Sequence, residues 1–236
     1  MKISIVIPAY NEERCIGECL ESILKQYPSP DEIVVVDNAS TDQTSIKASI
    51  KGVRVVRELE KGTSAARQRG FKETSGDLIV FVDADCQLPE GWIQHVTEQF
   101  TLHPELQCAT GPYHWHFSSG TRRLFSWITW SIIIPLQAAL FGNFLNGGNF
   151  AVRRQALIAI GGFDTTIRFY GDDIDTGRKL AKSGRRVLYD KKMAVITSTR
   201  RFDSEGFWKT ASHYSSALIS RYVFGRTTGM DSKAVR

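Results

Sequence analysis

The first half of the chain alternates short apolar segments with longer segments of mixed polarity. The apolar segments are continuous and rich in Val and Ile, and they read ISIVIPAY, EIVVVDNAS, VRVVRE and DLIVFVDAD. The segments between them have the length and composition of helices, and they read EERCIGECLESILKQ, TDQTSIKASI and TSAARQRGFKET. Continuous apolar strands separated by helices indicate a parallel sheet covered on both faces. The pattern predicts an α/β fold with right-handed crossovers.

Polar residues follow the predicted strands at the points where the strands end. In chain order they are Tyr10, Asn11 and Glu12, then Asp37, Asn38 and Ser40, then Asp83 and Asp85. Because ligands bind beyond the carboxyl ends of parallel strands, we expect these side chains to line one crevice. No G-x-G-x-x-G follows a strand and no G-x-x-x-x-G-K-[ST] occurs, which argues against a dinucleotide site and a P-loop.

Two carboxylates at the tip of the fourth predicted strand are a candidate metal site. Asp83 and Asp85 come directly after five apolar residues. Carboxylate oxygens suit Mg²⁺ or Mn²⁺, which also bind phosphate oxygens. An aspartate after a strand also commonly forms an Asx-turn or caps the next helix, so the pair alone leaves both interpretations open.

Six short motifs occur in a defined order along the chain. They are VIPAYNEE (6–13), VVDNASTD (35–42), DADC (83–86), GGNFAVRR (147–154), GGFD (161–164) and GDDIDTGRKL (171–180). Together they resemble the family 2 glycosyltransferases of the GT-A fold, over about residues 2 to 205. The resemblance implies an α/β GT-A fold with a mostly parallel central sheet and helices on both faces. It also implies an inverting, metal-dependent transfer of a sugar from a nucleotide-diphosphate donor, with a UDP-sugar expected.

The resemblance also implies roles on the donor side. Pro8, Ala9, Tyr10 and Glu12 would line the nucleotide pocket with Tyr10 flanking the base, Asp37 would bind the base, and Arg67 would face the base or diphosphate. Asp83 would hold the ribose and serve as a second candidate metal ligand, while Asp85 would bind Mn²⁺ or Mg²⁺. In TSTRRF (197–202), Arg200 or Arg201 is a candidate for the diphosphate.

On the acceptor side the resemblance assigns the general base to Asp173. The family has a Glu-Asp pair at this point, and this chain has Asp172 and Asp173, so the role of Asp172 is in question. Gly147, Gly148 and Asn149 would let the backbone approach the sugar. The leaving diphosphate needs cationic stabilisation and the acceptor needs a base, which explains these residue types. The same aspartates also fit simple capping of a helix that ends at Gly184.

A run of 29 uncharged residues, 124–152, lies between two pairs of arginines. Its length permits a membrane span, but Pro135, Gln137 and several Asn and Gly residues interrupt it. The sequence leaves three interpretations open: a span, a helix or helical pair at a membrane surface, and ordinary burial.

Charge is unevenly distributed along the chain. The net charge is +5, and residues 151–236 carry 17 Lys and Arg against 8 Asp and Glu. Such a surplus suits a phosphate-bearing substrate or an anionic lipid surface. No zinc-finger, RNA-recognition or basic-zipper pattern occurs, and we expect no nucleic-acid partner. The expected partners are the nucleotide-sugar donor and an acceptor glycan or lipid-linked sugar. We also expect a peripheral contact with a membrane surface.

The chain has four cysteines without histidines at metal-ligand spacing, and its N-terminus enters a strand at once, which predicts a cytoplasmic protein. The uncharged run, the arginine pairs around it and the basic C-terminal third favour a peripheral position on the inner face of the membrane. We expect one domain over 1–236, with a nucleotide-sugar half (1–110), an acceptor and catalytic half (111–205) and a helical extension (206–236). Two alternatives remain: a haloacid-dehalogenase-type phosphatase with Asp83 as nucleophile, and an inactive module that binds a sugar nucleotide or membrane.

Overall fold

A seven-stranded sheet runs through the computed structural model, which describes residues 1–115, 119–167, 171–207 and 209. The strands of the described part are β1 (Ile3–Ala9), β2 (Glu32–Asp37), β3 (Arg54–Arg57), β4 (Leu78–Val82), β5 (Cys86–Gln87), β6 (Cys108–Thr110), β7 (Tyr113–Trp115), β8 (Asn149–Arg153), β9 (Val187–Tyr189) and β10 (Val195–Thr197). The helices are α1 (Ile16–Leu24), α2 (Thr44–Ile50), α3 (Thr63–Glu73), α4 (Trp92–Leu102), α5 (Gly120–Ile128), α6 (Ile134–Phe141), α7 (Arg154–Ala159), α8 (Asp172–Lys182) and α9 (Arg200–Glu205).

The large sheet is mostly parallel, as the sequence predicts. Its strand order is β3, β2, β1, β4, β8, β6, β9, and β1 pairs in parallel with both β2 and β4. The exception is β8, which runs antiparallel between β4 and β6. The carboxyl ends of β1, β2 and β4 therefore meet at one edge, and the start of β8 reaches the same edge beside β4.

Both faces of the sheet are buried. Along β1, Ile5 and Ile7 enter a cluster with α1 and α4, whereas Val6 enters the opposite cluster with α3 and α7. In that second cluster Phe81 and Phe150 stack with ring centroids 4.7 Å apart. Burial on both faces explains why these strands are continuously apolar.

A smaller sheet stands beside the end of β4. Its order is β5, β10, β7, with β10 antiparallel to β5 and parallel to β7. Asn149, at the start of β8, is fully buried and donates from Nδ2 to the backbone oxygens of Met193 (2.6 Å) and Pro112 (3.4 Å). This side chain thereby ties the large sheet to the segments that lead into β7 and β10.

A long helical segment, which we call the exposed helix, consists of α5, a π-helical turn (Thr129–Ile133) and α6. One side packs through Trp130, Ile134 and Ala138 against Phe144 and Tyr189. Many of its other large apolar side chains are solvent-exposed: Leu124, Phe125, Trp127, Ile128, Ile132, Ile133, Leu136 and Leu140. Among the described residues, Gly120–Leu140 alone is long and apolar enough to cross a membrane, judged by length and composition. Ordinary burial thus accounts for only one side of this segment.

Alanine substitutions at two helical glycines should have opposite effects on stability. A Cβ on Gly70 of α3 would lie 2.2 Å from Cγ1 of Val6, whereas a Cβ on Gly17 of α1 would meet nothing within 4 Å. We expect Gly70→Ala to lower the free energy of unfolding by about 1–3 kcal/mol through overpacking. The control Gly17→Ala should raise it by about 0.5–1 kcal/mol, because alanine favours the helix. Urea denaturation measures both, and equal effects would contradict the tight contact between α3 and β1.

Candidate active site

The ends of β1 and β2 form one wall of the crevice. Ala9 and Asp37 are paired in register, and the N–H of Asn38 donates to the oxygen of Ala9 at 2.8 Å. The side chain of Asn38 donates to the oxygen of Glu60 (2.6 Å) and accepts from the N–H of Gly62 (2.8 Å). Asn38 therefore fixes the loop that leads into α3, and with it the position of that helix.

Two residues next to this wall have left-handed backbone conformations, which are common for asparagine but unfavourable for alanine. Asn11 and Ala39 have φ angles of 53° and 58°, which L-residues other than Asn and Asp seldom adopt. The side-chain oxygen of Asn11 accepts from the backbone N–H of Thr41 at 2.8 Å, and the backbone N–H of Asn11 donates to Oγ of Ser40 at 3.0 Å. Such strain persists only where surrounding contacts enforce it, and it is frequent at functional sites.

The predicted base-binding residues lie along this wall. Pro8 and Tyr10 are half-buried, and the ammonium of Lys61 lies 5.0 Å from the centroid of the Tyr10 ring. Asp37 is largely buried, and its carboxylate accepts from the N–H of Ser40 at 3.1 Å. The structure thus brings these residues together at one edge, and their contact with a base stays a prediction.

Asp83 and Asp85 follow β4 directly and remain partly exposed. The N–H of Asp83 donates to the oxygen of Gly148 at 3.2 Å, which extends the pairing of β4 with β8. One carboxylate oxygen of Asp83 accepts from Nη2 of Arg67 at 3.2 Å. Asp85 lies two residues further along the chain, between the buried residues Ala84 and Cys86.

Arg67 is a buried cation at the centre of the site. It belongs to α3, is 3% exposed, and contacts Asp172 through Nη1 as well as Asp83 through Nη2. Burial alone would lower the pKa of Arg67, but the carboxylates of Asp172, Asp83 and Asp173 outweigh it and raise the pKa. The guanidinium therefore stays charged. Its predicted contact with the base or diphosphate is untested.

Asp172 and Asp173 are the first two residues of α8, directly after Gly171, whose φ is 92°. Carboxylates are favoured here by the partial positive charge of a helix N-terminus. Burial, followed by repulsion from Asp172, raises the pKa of Asp173 to about 6. Arg67 and the backbone N–H groups of Ile174 and Gly147 act in the opposite direction. A carboxyl with such a pKa can exchange a proton near neutral pH.

Two glycines let the backbone before β8 approach this cluster. A Cβ on Gly148 would lie 2.3 Å from Oδ2 of Asp83 and 2.2 Å from Oη of Tyr113. A Cβ on Gly147 would lie 2.9 Å from Nη2 of Arg67 and 3.2 Å from Cβ of Asp173. At these two glycines the backbone therefore lies close to side chains of the protein itself. Contact of this backbone with an acceptor stays a prediction. Asn149 has the buried structural role described above.

Sequence reasoning missed Tyr113, whose hydroxyl group lies in this cluster. Its ring contacts Trp115 and Trp130, with centroids 5.5 Å away in each case. The alternation of Tyr113 and Trp115 in β7 was a usable signal, because residues two apart in a strand share a face. Tyr113 therefore connects the carboxylate cluster to the packed side of the exposed helix.

Glu12, shortly after β1, and Arg200 form an ion pair, and Arg200 is close enough to Asp85 to interact with its charge. Glu12 is buried, and one of its carboxylate oxygens lies 2.5 Å from Nη2 of Arg200, the first residue of α9. The Glu12 carboxylate raises the pKa of Arg200 against the lowering effect of its burial. The side chain of Arg201 lies outside the described part of the chain, as does most of the predicted extension 206–236.

The donor set at the end of β4 fits a hard divalent cation. Asp85 and Asp83 offer carboxylate oxygens, and Mg²⁺ and Mn²⁺ typically take one or two carboxylates together with substrate phosphates and water. Within the described residues no three His, Cys, Asp or Glu side chains converge as a complete metal cage. The residues therefore fit an ion that would be bound partly by these carboxylates and partly by the oxygens of a bound diphosphate.

Comparison with known proteins identifies the class to which this fold and site belong. A model of the family described as glycosyl transferase family 2 matches residues 4–161, more than half of the chain. The chain therefore belongs to glycosyl transferase family 2. This membership removes the dehalogenase-type phosphatase alternative.

Curated relatives match over shorter segments. A dolichol-phosphate mannosyltransferase from Pyrococcus furiosus is 44% identical over 104 residues, which are 42% of this chain and 30% of that protein. A glucosyl-3-phosphoglycerate synthase from Mycobacterium tuberculosis is 41% identical over 96 residues, which are 37% of this chain and 30% of that protein. The matched segments thus span less than a third of these relatives.

Solved structures match over nearly the whole chain. The glucosyl-3-phosphoglycerate synthase from Mycobacterium tuberculosis, in complex with Mn²⁺, UDP and glucosyl-3-phosphoglycerate, has a TM-score of 0.66 at 26% identity and covers 97% of this chain and 81% of that chain. A mannosyltransferase from Pyrobaculum calidifontis, in complex with GDP-mannose and Mn²⁺, has a TM-score of 0.74 at 20% identity. The match covers 96% of this chain and 65% of that chain. The predicted GT-A fold is confirmed.

Gly148 offers a test of how closely the site is packed. We expect Gly148→Ala to displace the carboxylate of Asp83, because the added Cβ would lie within 2.3 Å of it. The family resemblance assigns Asp83 to the ribose, so loss of that charge-assisted hydrogen bond should weaken binding of UDP with Mn²⁺ by about tenfold or more, measured by isothermal titration calorimetry. The control Gly120→Ala, where a Cβ meets nothing within 4 Å, should bind normally. Normal binding by Gly148→Ala would separate Asp83 from the nucleotide site.

Proposed function

We propose that this chain is an inverting, metal-dependent glycosyltransferase whose donor is a nucleotide-diphosphate sugar, with a UDP-sugar as the leading candidate. The observation that carries the proposal is the convergence of Asp37, Asp83 and Asp85 at one sheet edge, with Arg67 connecting Asp83 to the Asp172–Asp173 pair. Family membership and the Mn²⁺ and nucleotide in the complexes of similar proteins support it.

The residues can divide the chemistry between the two sides of the crevice. Asp37 and Tyr10 would hold the base, Asp83 the ribose, and Asp85 with Asp83 a divalent cation. When bound, that cation would offset the charge of the leaving diphosphate. Arg200 pairs with Glu12, interacts with the charge of Asp85, and can contribute positive charge there. Asp173 would accept the proton of the acceptor hydroxyl, and a single base opposite the leaving group gives inversion.

A panel of nucleotide sugars tests the donor and the metal site together. We expect a UDP-sugar with Mn²⁺ to raise the melting temperature more than the GDP, CDP or dTDP sugars, because binding to the folded state alone stabilises it. Asp85→Ala should abolish the Mn²⁺-dependent part of that shift. Asp175→Ala should retain it, because Asp175, in the first turn of α8, is partly exposed and paired with Lys179. Full Mn²⁺-dependent stabilisation of Asp85→Ala would remove this residue from the metal site.

Replacement of the proposed base, Asp173, should lower the rate of transfer without weakening donor binding. We expect Asp173→Asn to keep donor affinity and lower kcat by about 10² or more. In the wild type, kcat/KM should rise as pH increases through about 6, where Asp173 loses its proton, and fall below that pH. Near-normal turnover by Asp173→Asn with an inactive Asp172→Asn would assign the base to Asp172. Nucleotide binding without any transfer would favour the inactive binding module.

For the acceptor we propose a lipid-linked sugar or polyprenyl phosphate presented at the inner face of the membrane. The exposed helix supports this proposal because many of its large apolar side chains face solvent. Basic residues accompany it along its length: Arg123 is exposed near one end, Lys191 lies 3.5 Å from the oxygen of Ser131, and Arg186 donates to the oxygen of Ala139. Apolar side chains can insert at the headgroup boundary while such cations bind anionic lipids.

Liposome flotation tests the membrane contact with matched leucines. Leu124 and Leu136 on the exposed helix are 57% and 59% exposed, and Leu59 and Leu102 elsewhere are 72% and 71% exposed. We expect wild-type binding to need anionic lipid, to weaken with salt, and to fall in Leu124→Ser/Leu136→Ser. Leu59→Ser/Leu102→Ser should bind as the wild type does. Absence of wild-type binding at low salt would favour a soluble acceptor.

A further inference from the structure

Arg67 connects three parts of the chain that the fold brings together from distant positions. It lies on α3, its Nη1 contacts Asp172 at the start of α8, and its Nη2 lies 3.2 Å from Asp83 after β4. The side chains of Arg67 and Asp172 are only 4% and 8% exposed, whereas that of Asp83 is 37% exposed. The pair with Asp172 is therefore the desolvated one, where a charge left unpaired is most costly.

The shape of the guanidinium matters for this arrangement. Its two terminal nitrogens bind two different carboxylates, which the single ammonium of a lysine would not reproduce. The backbone at Gly147 lies so close that an added Cβ would be 2.9 Å and 3.1 Å from these nitrogens. The position of the Arg67 side chain is therefore fixed from several sides.

We propose that Arg67 is a positioning residue that pairs with Asp172 and so leaves Asp173 as the carboxylate of the pair that exchanges a proton with the acceptor. This inference rests on the proposed transferase function and deepens it, because it assigns different roles to two adjacent, identical side chains. Arg67 is thereby shared between Asp172 and the donor-side carboxylate of Asp83, and Asp173 is the more exposed of the two adjacent aspartates.

The charged and polar groups that face Asp173 account for its protonation behaviour. Asp172 on the same helix disfavours ionisation, while Arg67 from α3 and the N–H groups of Ile174 and of Gly147, in the loop before β8, favour it. Removal of Asp172 or of Arg67 should therefore shift the titration of Asp173 in opposite directions. A charged residue that supports the fold without facing Asp173 would change stability without such a shift.

Carboxyl ¹³C NMR titration of aspartate-labelled protein, without metal or nucleotide, tests this directly. Asp173 is assigned from the signal lost in Asp173→Asn. We expect Asp172→Asn to lower the Asp173 midpoint by about 1 pH unit or more. In Arg67→Gln/Asp172→Asn, where both charges are removed and neither is left unpaired, the midpoint should rise again above that of Asp172→Asn. This double variant keeps the test usable if Arg67→Gln alone does not fold.

Arg69→Gln is the matched control, because Arg69 lies on the same helix but is partly exposed and paired with Glu73. It should leave the Asp173 midpoint unchanged. Identical midpoints in the wild type, Asp172→Asn and the double variant would overturn the proposal, whatever happens to thermal stability. The titration needs no acceptor and no turnover, so its outcome is independent of the assay that tests the transferase function.

Discussion

The ion-pair bridge made by Arg67 is the interaction on which the geometry of the site depends. It joins α3, the end of β4 and the start of α8, which carry the proposed donor, metal and base groups. A buried arginine is tolerated only when carboxylates compensate the loss of water, and those carboxylates would otherwise repel one another. The same contacts therefore stabilise the cluster and set the distances between its parts.

The glycines before β8 are a consequence of this compact arrangement. Any side chain at Gly148 would displace Asp83 or Tyr113, and any side chain at Gly147 would crowd Arg67. The antiparallel β8 carries this loop to the carboxyl end of β4, and the buried side chain of Asn149 holds the small sheet against it. Tyr113 from that sheet reaches the cluster, and its ring contact with Trp130 connects the site to the exposed helix.

The local sequence predicted those features that depend on local chemistry. Continuous apolar runs located β1, β2 and β4, and the aspartates after β4 were placed at the correct edge because parallel strands end together. The partners of Arg67 could not be predicted, because Asp172 is 105 residues away and no periodicity connects them. The uncharged run 124–152 was ambiguous for a similar reason, since its composition does not reveal that one side packs on Phe144 and Tyr189.

A crystal structure of the protein with UDP and Mg²⁺ is the most direct test of the proposed site. We expect the cation on Asp85 at about 2.0–2.1 Å, the ribose at Asp83 and the base at Asp37. We also expect Arg67 still to bridge Asp83 and Asp172, with Asp173 facing open space beside the diphosphate. A nucleotide bound away from the ends of β1, β2 and β4, or a cation held by Asp172 and Asp173 instead, would contradict the proposed site.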